Sequence, residues 1–227
     1  TGINPMRGQN NIQGAGDCGA VPNNYPGFQP VISEEFHEKF KTAYQQPDLD
    51  LGNSMTKVTA LNLCGLKENG IHAMLIDGEN TVVTDPDKNH CEKALKSLDH
   101  LVVIDIFMTE TAQMADIVLP ASAWGETDGV QANTERRVQR LRKAVPSHGE
   151  SKPDWWIISN IAKELGIPGF EYESAKDVFN ELCGLSPIYK GLNWDNIGDG
   201  VYQWPVPEEG HPGTPILHED EFKDGKP

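Results

Sequence analysis

Residues 71–80 read IHAMLIDGEN, and residues 101–120 read LVVIDIFMTETAQMADIVLP. Three short apolar runs lie within them, at Ile71–Asp77, Leu101–Phe107 and Asp116–Leu119. Each run is followed by glycine, proline or polar residues, which is typical of strands buried on both faces of a sheet. We expect three parallel strands here, because helical segments separate the runs.

Helical patterns surround these strands. Asp85–Asp87 is a cap sequence, and the residues after it place Cys91, Ala94, Leu95 and Leu98 on one face. A helix is also predicted from Ser33, with Phe36, Phe40 and Tyr44 as its apolar stripe. Another is predicted from an N-cap at Ser151 to Leu165. Three more are predicted from Asn53 to before Gly70, at Thr109–Met114 and at Ala175–Cys183. The fold class is therefore α/β, a parallel sheet with flanking helices and loop-rich termini.

Ligands of parallel α/β sheets bind at the carboxyl ends of the strands. In this sequence those ends are Gly78–Asn80, Asp105–Thr109 and Pro120–Trp124. Asp105 interrupts an apolar run, so it either caps the short helix at Thr109 or accepts hydrogen bonds from a donor-rich ligand.

Charge and composition exclude several classes of protein. The 227 residues include 19 basic and 34 acidic side chains, a net charge of −15, which disfavours binding to nucleic acids or anionic membranes. The longest apolar runs are far shorter than the roughly 18 residues of a membrane span, and the first residues do not read as a signal peptide. The four cysteines lack metal-site spacing and are expected to be reduced thiols.

The remaining segments are polar or basic. Residues 1–32 are expected to be a long loop, and its Gly14–Gly19 match to G-x-G-x-x-G is rejected as a cofactor fingerprint because no strand precedes it. The loop's RGQNN run at 7–11 must face water or a polar ligand. RRVQRLRK at 136–143 is either a solvated face or an anchor for phosphates or an acidic segment, and 184–227 is expected to wrap on the surface.

Four stretches together resemble the molybdopterin oxidoreductase family, and within it the catalytic (alpha) subunit of molybdenum- or tungsten-dependent formate dehydrogenases. They read NPMRGQNNIQGAGDCGAVPNNYPGFQ, LIDGEN, VVIDIFMTETAQMADIVLPASAWGETDGVQANTERRVQRLRKAV and KPDWWIISNIAKELG. The resemblance implies a Rossmann-like domain, as in the central region of formate dehydrogenase and DMSO reductase. It also implies formate/CO2 interconversion at a bis-molybdopterin guanine dinucleotide site.

The resemblance also implies roles for individual residues. Arg7 matches the active-site arginine, whose planar, permanently charged fork suits a carboxylate. Gln9 matches a neighbour of a pterin. The other matched positions are expected near the cofactor: Gly78, Glu79, Asp105, Thr109 and Asp154 at its guanine end, and Thr127, Asn133 and Arg136 as further contacts.

Several family features are missing from the 227 residues. The cysteines for a 4Fe-4S cluster and the Cys or selenocysteine metal ligand are absent, so we expect a central fragment without metal ligands that is inactive by itself. It divides into an active-site loop segment (1–32), a cofactor-binding domain (33–183) and an irregular return segment (184–227). Its partners would be the rest of the subunit and an electron-transfer subunit, in the cytoplasm. A nitrate reductase and a non-catalytic dinucleotide-binding scaffold remain alternatives.

Replacing Arg7 by Ala in the full enzyme should raise the formate KM about 10- to 100-fold and lower turnover, because a charge-assisted hydrogen bond contributes roughly 1.5–3 kcal/mol. Steady-state kinetics with formate checks this. Unchanged kinetics would show that Arg7 has no part in binding the substrate.

Overall fold

The computed structural model describes residues 8–48, 55–198 and 200–219. Two compact units share these residues. The hairpin unit is built from the described parts of 1–51, 128–142 and 172–227, and the sheet unit from those of 52–127 and 143–171. The sequence predicted a different division, into an active-site loop segment, a cofactor-binding domain and a return segment with boundaries after residues 32 and 183. That functional division stays a prediction.

The helices are Ile12–Asp17 (α1), Glu34–Ala43 (α2), Lys57–Leu63 (α3), Thr81–Thr84 (α4), Lys88–Leu95 (α5), Asp154–Glu164 (α6) and Ala175–Leu185 (α7). The strands are Asn24–Tyr25 (β1), Gln29–Pro30 (β2), Ala73–Asp77 (β3), His100–Asp105 (β4), Ile117–Pro120 (β5), Gly129–Ala132 (β6), Arg137–Leu141 (β7) and Tyr202–Gln203 (β8). Short 3-10 turns cover Ala112–Met114 and Trp124–Glu126.

The sheet unit has the predicted parallel sheet, in the order β3-β4-β5. Helices α3, α4 and α5 cover one face, where a core forms around the fully buried Val103 and Cys91. Asp87 caps α5 as predicted, since its carboxylate accepts the His90 N–H at 3.0 Å. The α/β fold class is confirmed.

The start of α6 differs from the prediction. Pro153, not Ser151, occupies the N-cap position, and the Ser151 hydroxyl instead donates to the His148 carbonyl at 2.7 Å. The backbone of Lys152 pairs with the end of β5, accepting from the Ser122 N–H at 2.8 Å. This pairing fixes where the chain enters α6, and it places Asp154 in the first turn beside the strand ends.

The hairpin unit contains an antiparallel sheet, β6-β7-β8, and the short β1-β2 pair. The return segment was expected on the surface, but it supplies much of this unit's core. Its buried side chains are Tyr189, Leu192, Trp194, Ile197, Trp204 and Val206. Bulky residues at irregular spacing between Gly and Pro fill a core without forming long helices or strands, so no periodic pattern indicated their burial.

The segment expected as a polar loop is partly ordered into α1, β1 and β2. The rejected glycine fingerprint lies in and just after α1, and the residues described before α1 form turns and no strand. Asp17 at the end of α1 is fully buried and accepts the Tyr189 hydroxyl at 2.7 Å. This bond ties the N-terminal segment to the return segment within the hairpin unit.

Two arginines of the basic run have partners within the hairpin unit, while Gln139, Arg142 and Lys143 of the same run are exposed. The Arg136 guanidinium donates to the carbonyl of Trp204, to that of Thr214 at 2.9 Å and to that of Pro215 at 3.0 Å. Arg140 stacks over the Trp194 ring at 4.0 Å. These arginines hold the return segment, and the expected contact of Arg136 with a cofactor stays a prediction.

None of the helices in the described part of the chain is long and apolar enough to cross a membrane. All four cysteines are free, and three of them are buried.

Replacing Arg136 by Gln should lower the free energy of unfolding of the chain by about 1–3 kcal/mol, because three carbonyl groups of the return segment lose a charged donor. Thermal or urea unfolding followed by circular dichroism measures the change. Lys190→Gln, at an exposed position of the same unit, is the control and should shift stability by less than about 0.5 kcal/mol. Equal stability of the two variants would contradict the structural role.

Candidate functional site

The candidate site lies at the carboxyl ends of the parallel strands. Asp77 ends β3, Asp105 ends β4, and Asp154 begins α6. The register pairs Asp77 with Ile104, and Asp105 with Pro120, so the strands end at the same edge of the sheet. We call the group formed by Asp77, Asp105 and Asp154 the acidic crevice. The structure therefore brings together two of the predicted site residues, Asp105 and Asp154.

The three carboxylates influence one another electrostatically. Burial, then the charges of Asp154 and Asp105, raises the pKa of Asp77 to about 6. Burial is also the main cause that raises the pKa of Asp154, with Asp105 adding to it and the Asp154 backbone N–H opposing it. Such a group is stabilised by any ligand that brings hydrogen-bond donors or positive charge to it.

Asp105 is held by its own loop. Only 9% of the residue is exposed, and its carboxylate accepts the Phe107 N–H at 3.1 Å. The helix-cap interpretation of Asp105 is wrong, because its carboxylate accepts from Phe107, which precedes the 3-10 turn at Ala112–Met114. The Thr109 hydroxyl instead accepts the Ala112 N–H at the start of that turn, at 3.2 Å. Thr109 thus shapes the loop after β4, and its predicted contact with a cofactor stays a prediction.

The loop after β3 begins with Gly78, which has a φ of +64°. This left-handed conformation favours glycine, and a Cβ atom built there would meet no atom within 4 Å. The neighbouring Glu79 carboxylate is bound by the Thr84 hydroxyl and by the Lys57 ammonium at 3.1 Å, which lowers its pKa. Glu79 therefore holds the loop to α3, while Gly78 leaves the crevice open on that side.

Asn80 joins the loops after β3 and β4. Its place at a strand end was expected from the sequence, but its contacts with the loop after β4 were not. Its amide donates to the Glu110 carboxylate at 2.8 Å, and its carbonyl oxygen accepts the Thr111 hydroxyl at 2.9 Å. Thr111 is fully buried and also accepts the Val82 N–H at 3.0 Å. The sequence signal for this role was an Asn shortly after the end of β3, because a carboxamide can both donate and accept hydrogen bonds and so connect two loops.

The loop after β4 also exposes apolar side chains. Ile106, Phe107 and Met108 are 50%, 72% and 62% exposed. Three consecutive exposed apolar residues beside a carboxylate are unusual on a free surface and indicate a region that a ligand or another segment covers.

A separate polar cavity of about 230 Å³ lies within the hairpin unit. Gln9 and Asn133, both predicted cofactor contacts, line it. The other lining residues are Gly8, Asn10, Asn11, Ile12, Gln13, Gln131, Ala132, Thr134 and Gln139. Carboxamides dominate this wall, and no charged residue belongs to the described lining. Such a wall can both donate to and accept from an uncharged heterocycle.

The two remaining predicted site residues are placed as follows. Thr127 is half-buried and follows the 3-10 turn at Trp124–Glu126, in an extended conformation. Arg7 lies outside the described residues. Among those the structure describes, no group of three His, Cys, Asp or Glu residues could hold a metal ion.

Comparison with known proteins identifies the family. The molybdopterin oxidoreductase family model matches residues 4–164. This chain belongs to that family. The alpha subunit of F420-dependent formate dehydrogenase 2 from Methanococcus maripaludis is 46% identical over 223 residues, which are 98% of this chain and 32% of that protein.

A second relative and one solved structure are also similar to this chain. The F420-dependent formate dehydrogenase alpha subunit of Methanocaldococcus jannaschii is 48% identical over 98% of this chain and 32% of its own length. Acetylene hydratase from Pelobacter acetylenicus, a solved structure, matches with a TM-score of 0.56 at 23% identity, over 74% of this chain and 27% of that one, which shows the fold alone. The chain spans about a third of the length of the formate dehydrogenase subunits it matches.

Lowering the pH from 7 to 4 should stabilise this chain through Asp77. The folded-state pKa of about 6 lies above the roughly 3.9 of an unfolded Asp, so the stabilising contribution is complete below pH 4 and lost as the pH rises through 6. Asp77→Asn should remove this dependence and be more stable at pH 7, by at most about 1 kcal/mol because the carboxyl keeps access to solvent.

Urea unfolding at several pH values measures this effect. Asp99→Asn is the matched control, because Asp99 lies just before β4 at the opposite end of the sheet. A parallel pH dependence in wild type and Asp77→Asn would show that the crevice does not raise the pKa of Asp77.

Proposed function

We propose that this chain is a segment of the catalytic subunit of a molybdenum- or tungsten-dependent formate dehydrogenase that interconverts formate and CO2. The relatives named as formate dehydrogenase alpha subunits support this proposal, since they match almost the whole chain at 46–48% identity. The cofactor would be a bis-molybdopterin guanine dinucleotide.

The observation that carries the proposal is the acidic crevice at the strand ends. The guanine Watson–Crick edge presents an N1–H and an N2 amino group, and ionised carboxylates are pure acceptors. Asp105 and Asp154 fit such an edge, whereas a phosphate placed against Asp77, Asp105 and Asp154 would be repelled. The crevice thus favours the base, not the pyrophosphate, of a dinucleotide.

The carboxamide cavity of the hairpin unit fits a different part of the cofactor. A pterin ring alternates donors and acceptors along its edge, and carboxamides satisfy both kinds of group. Gln9 and Asn133 would contact a pterin there. This assignment agrees with the uncharged wall, which neither attracts nor repels the ring.

The protein's own contribution to the reaction is positioning and charge. Arg7 would bind formate through two parallel N–H···O bonds and orient its C–H bond, and its charge would persist at every working pH. When bound, the cofactor supplies the two-electron redox chemistry. Asp105 and Asp154 would hold its guanine end.

The partners follow from the same proposal. Electrons would leave through a 4Fe-4S cluster on a segment outside this chain and reach an electron-transfer subunit. The four free thiols favour a reducing compartment such as the cytoplasm. Formate oxidation and nitrate reduction assays on the intact subunit test the activity, and nitrate reduction without formate oxidation would replace this proposal by the nitrate reductase alternative.

Asp105→Asn and Asp154→Asn in the intact subunit should each weaken cofactor binding about 10- to 100-fold, because an amide donor would face the guanine donors in place of a charged acceptor. Guanine nucleotide released from the purified subunit by acid, measured by chromatography after dilution, reports the retained cofactor.

Asp99→Asn is the matched control, with the same change of charge at the other end of the sheet, and it should retain the cofactor fully. Circular dichroism should show that all three variants are folded. Wild-type nucleotide content in both crevice variants would refute the guanine assignment.

A further inference from the structure

Asp17 is a buried carboxylate that takes no direct part in the proposed chemistry. It lies fully buried at the end of α1. One of its oxygens accepts the Tyr189 hydroxyl at 2.7 Å, and the other accepts the Gln13 side-chain amide at 2.8 Å. Burying a charged group is costly, and two neutral groups could tie the N-terminal and return segments together without it. The charge therefore indicates a second role for Asp17.

Gln13 connects Asp17 to the polar cavity of the hairpin unit, the carboxamide cavity. Its side chain lines this cavity. Because an ionised carboxylate only accepts hydrogen bonds, Gln13 has to turn its NH2 group toward Asp17 and leave its carbonyl oxygen for the cavity. Burial, the charge of Asp17 and the hydrogen bond to it raise the pKa of the Tyr189 hydroxyl, so that group keeps its proton and remains a donor to Asp17.

Two asparagines of the same wall are held in the opposite direction. The Asn11 side-chain oxygen accepts the Ala132 N–H at 3.0 Å, and the Asn133 side-chain oxygen accepts the Arg137 N–H at 3.0 Å. A backbone N–H can only donate, so each asparagine turns its oxygen toward the strand and leaves its NH2 group for the cavity. A Cβ atom at Gly14 would lie 2.1 Å from the Asn11 side-chain oxygen, so the first of these bonds requires glycine there.

We infer that Asp17 is a positioning residue, which fixes the direction of the Gln13 carboxamide and thereby gives the carboxamide cavity a defined polarity. The ligand then meets amide donors from Asn11 and Asn133 and a carbonyl acceptor from Gln13. This set suits a heterocycle with a lactam edge, because the ring carbonyl accepts from the asparagines and the adjacent ring N–H donates to Gln13. An anion would instead meet the Gln13 oxygen, with the charge of Asp17 behind it.

A pterin has a lactam edge of this kind, so the inference deepens the proposed function and rests on it. It adds to that proposal the direction in which the edge is bound. It also assigns the buried charge a task that a neutral side chain could not perform, since a hydroxyl or carboxamide at position 17 could both donate and accept and would leave Gln13 free to turn either way.

Release of pterin from the intact subunit tests this inference. The purified subunit with its cofactor is diluted, and the pterin lost to the buffer is oxidised and measured by its fluorescence. In Asp17→Asn, the Tyr189 hydroxyl retains the carbonyl oxygen of the new carboxamide, so the new NH2 group faces Gln13 and turns it round. A donor then meets the ring N–H, and pterin should be released about 10- to 100-fold faster than from wild type.

Tyr189→Phe is the matched control. It removes the other hydrogen bond of the same buried carboxylate and leaves the bond to Gln13 in place. We expect this variant to release pterin at the wild-type rate, although it should be less stable than wild type. Circular dichroism shows that both variants are folded. Equally fast release from Asp17→Asn and Tyr189→Phe would mean that Asp17 only ties the segments together, and it would overturn the inference.

An exchange of side chains separates the direction of the carboxamide from the loss of a charge. Adding Gln13→Glu to Asp17→Asn keeps one carboxylate and one amide between the two positions and returns an acceptor oxygen to the cavity. The double variant should release pterin about tenfold more slowly than Asp17→Asn alone. Equal release from these two variants would contradict the inference.

Gln13→Met takes the place of Asp17→Asn if the latter does not fold, because it removes the acceptor and leaves the bond between Asp17 and Tyr189 intact. It should also release pterin about 10- to 100-fold faster than wild type, and wild-type release would overturn the inference. A wild-type subunit without pterin would refute the proposed function and this inference with it. Pterin in wild type with unchanged release from the variants would refute the inference alone.

Discussion

The parallel hydrogen bonding of β3, β4 and β5 is the constraint on which the site depends. Parallel strands must all end on the same side, so the polar residues that follow each apolar run are forced together. The pairing of Lys152 with the end of β5 extends the same constraint to α6, whose first residue is Asp154. Three carboxylates distant in sequence thereby meet without any direct bond among them.

This convergence has an electrostatic cost that a ligand can offset. Asp77, Asp105 and Asp154 repel one another in a chain that already carries a charge of −15, and the raised pKa values of Asp77 and Asp154 record that repulsion together with burial. Many dinucleotide sites place a phosphate at a glycine-rich loop and a helix N-terminus. Here the strand ends carry acceptors, so the base edge suits this position better than a phosphate.

The sequence predicted the three parallel strands and the longer helices, because they follow from periodicity, and it named Asp105 and Asp154 as site residues. It did not name Asp77, the third carboxylate of the acidic crevice. It missed the role of Asn80, which depends on contacts with Glu110 and Thr111 some 30 residues away, and such pairings leave no local pattern. It also placed the return segment on the surface, since Tyr189 and Trp204 lie among Gly and Pro. The N-cap of α6 was misplaced because the bridge of Lys152 to β5 outweighs the local preference of Ser151 for a cap.

A run of basic residues in an acidic protein is weak evidence for an anion-binding site. A cluster of arginines suggested a phosphate anchor, yet the Arg136 guanidinium donates to carbonyl groups and that of Arg140 lies over an aromatic ring, all within the hairpin unit. Likewise Lys57 is bound by Glu79 and Asp85 within the sheet unit. A cation that already has internal partners is less available to bind an anion. The resemblance gives that task to Arg7, which precedes a run of carboxamides and carries the permanent charge that a small carboxylate requires.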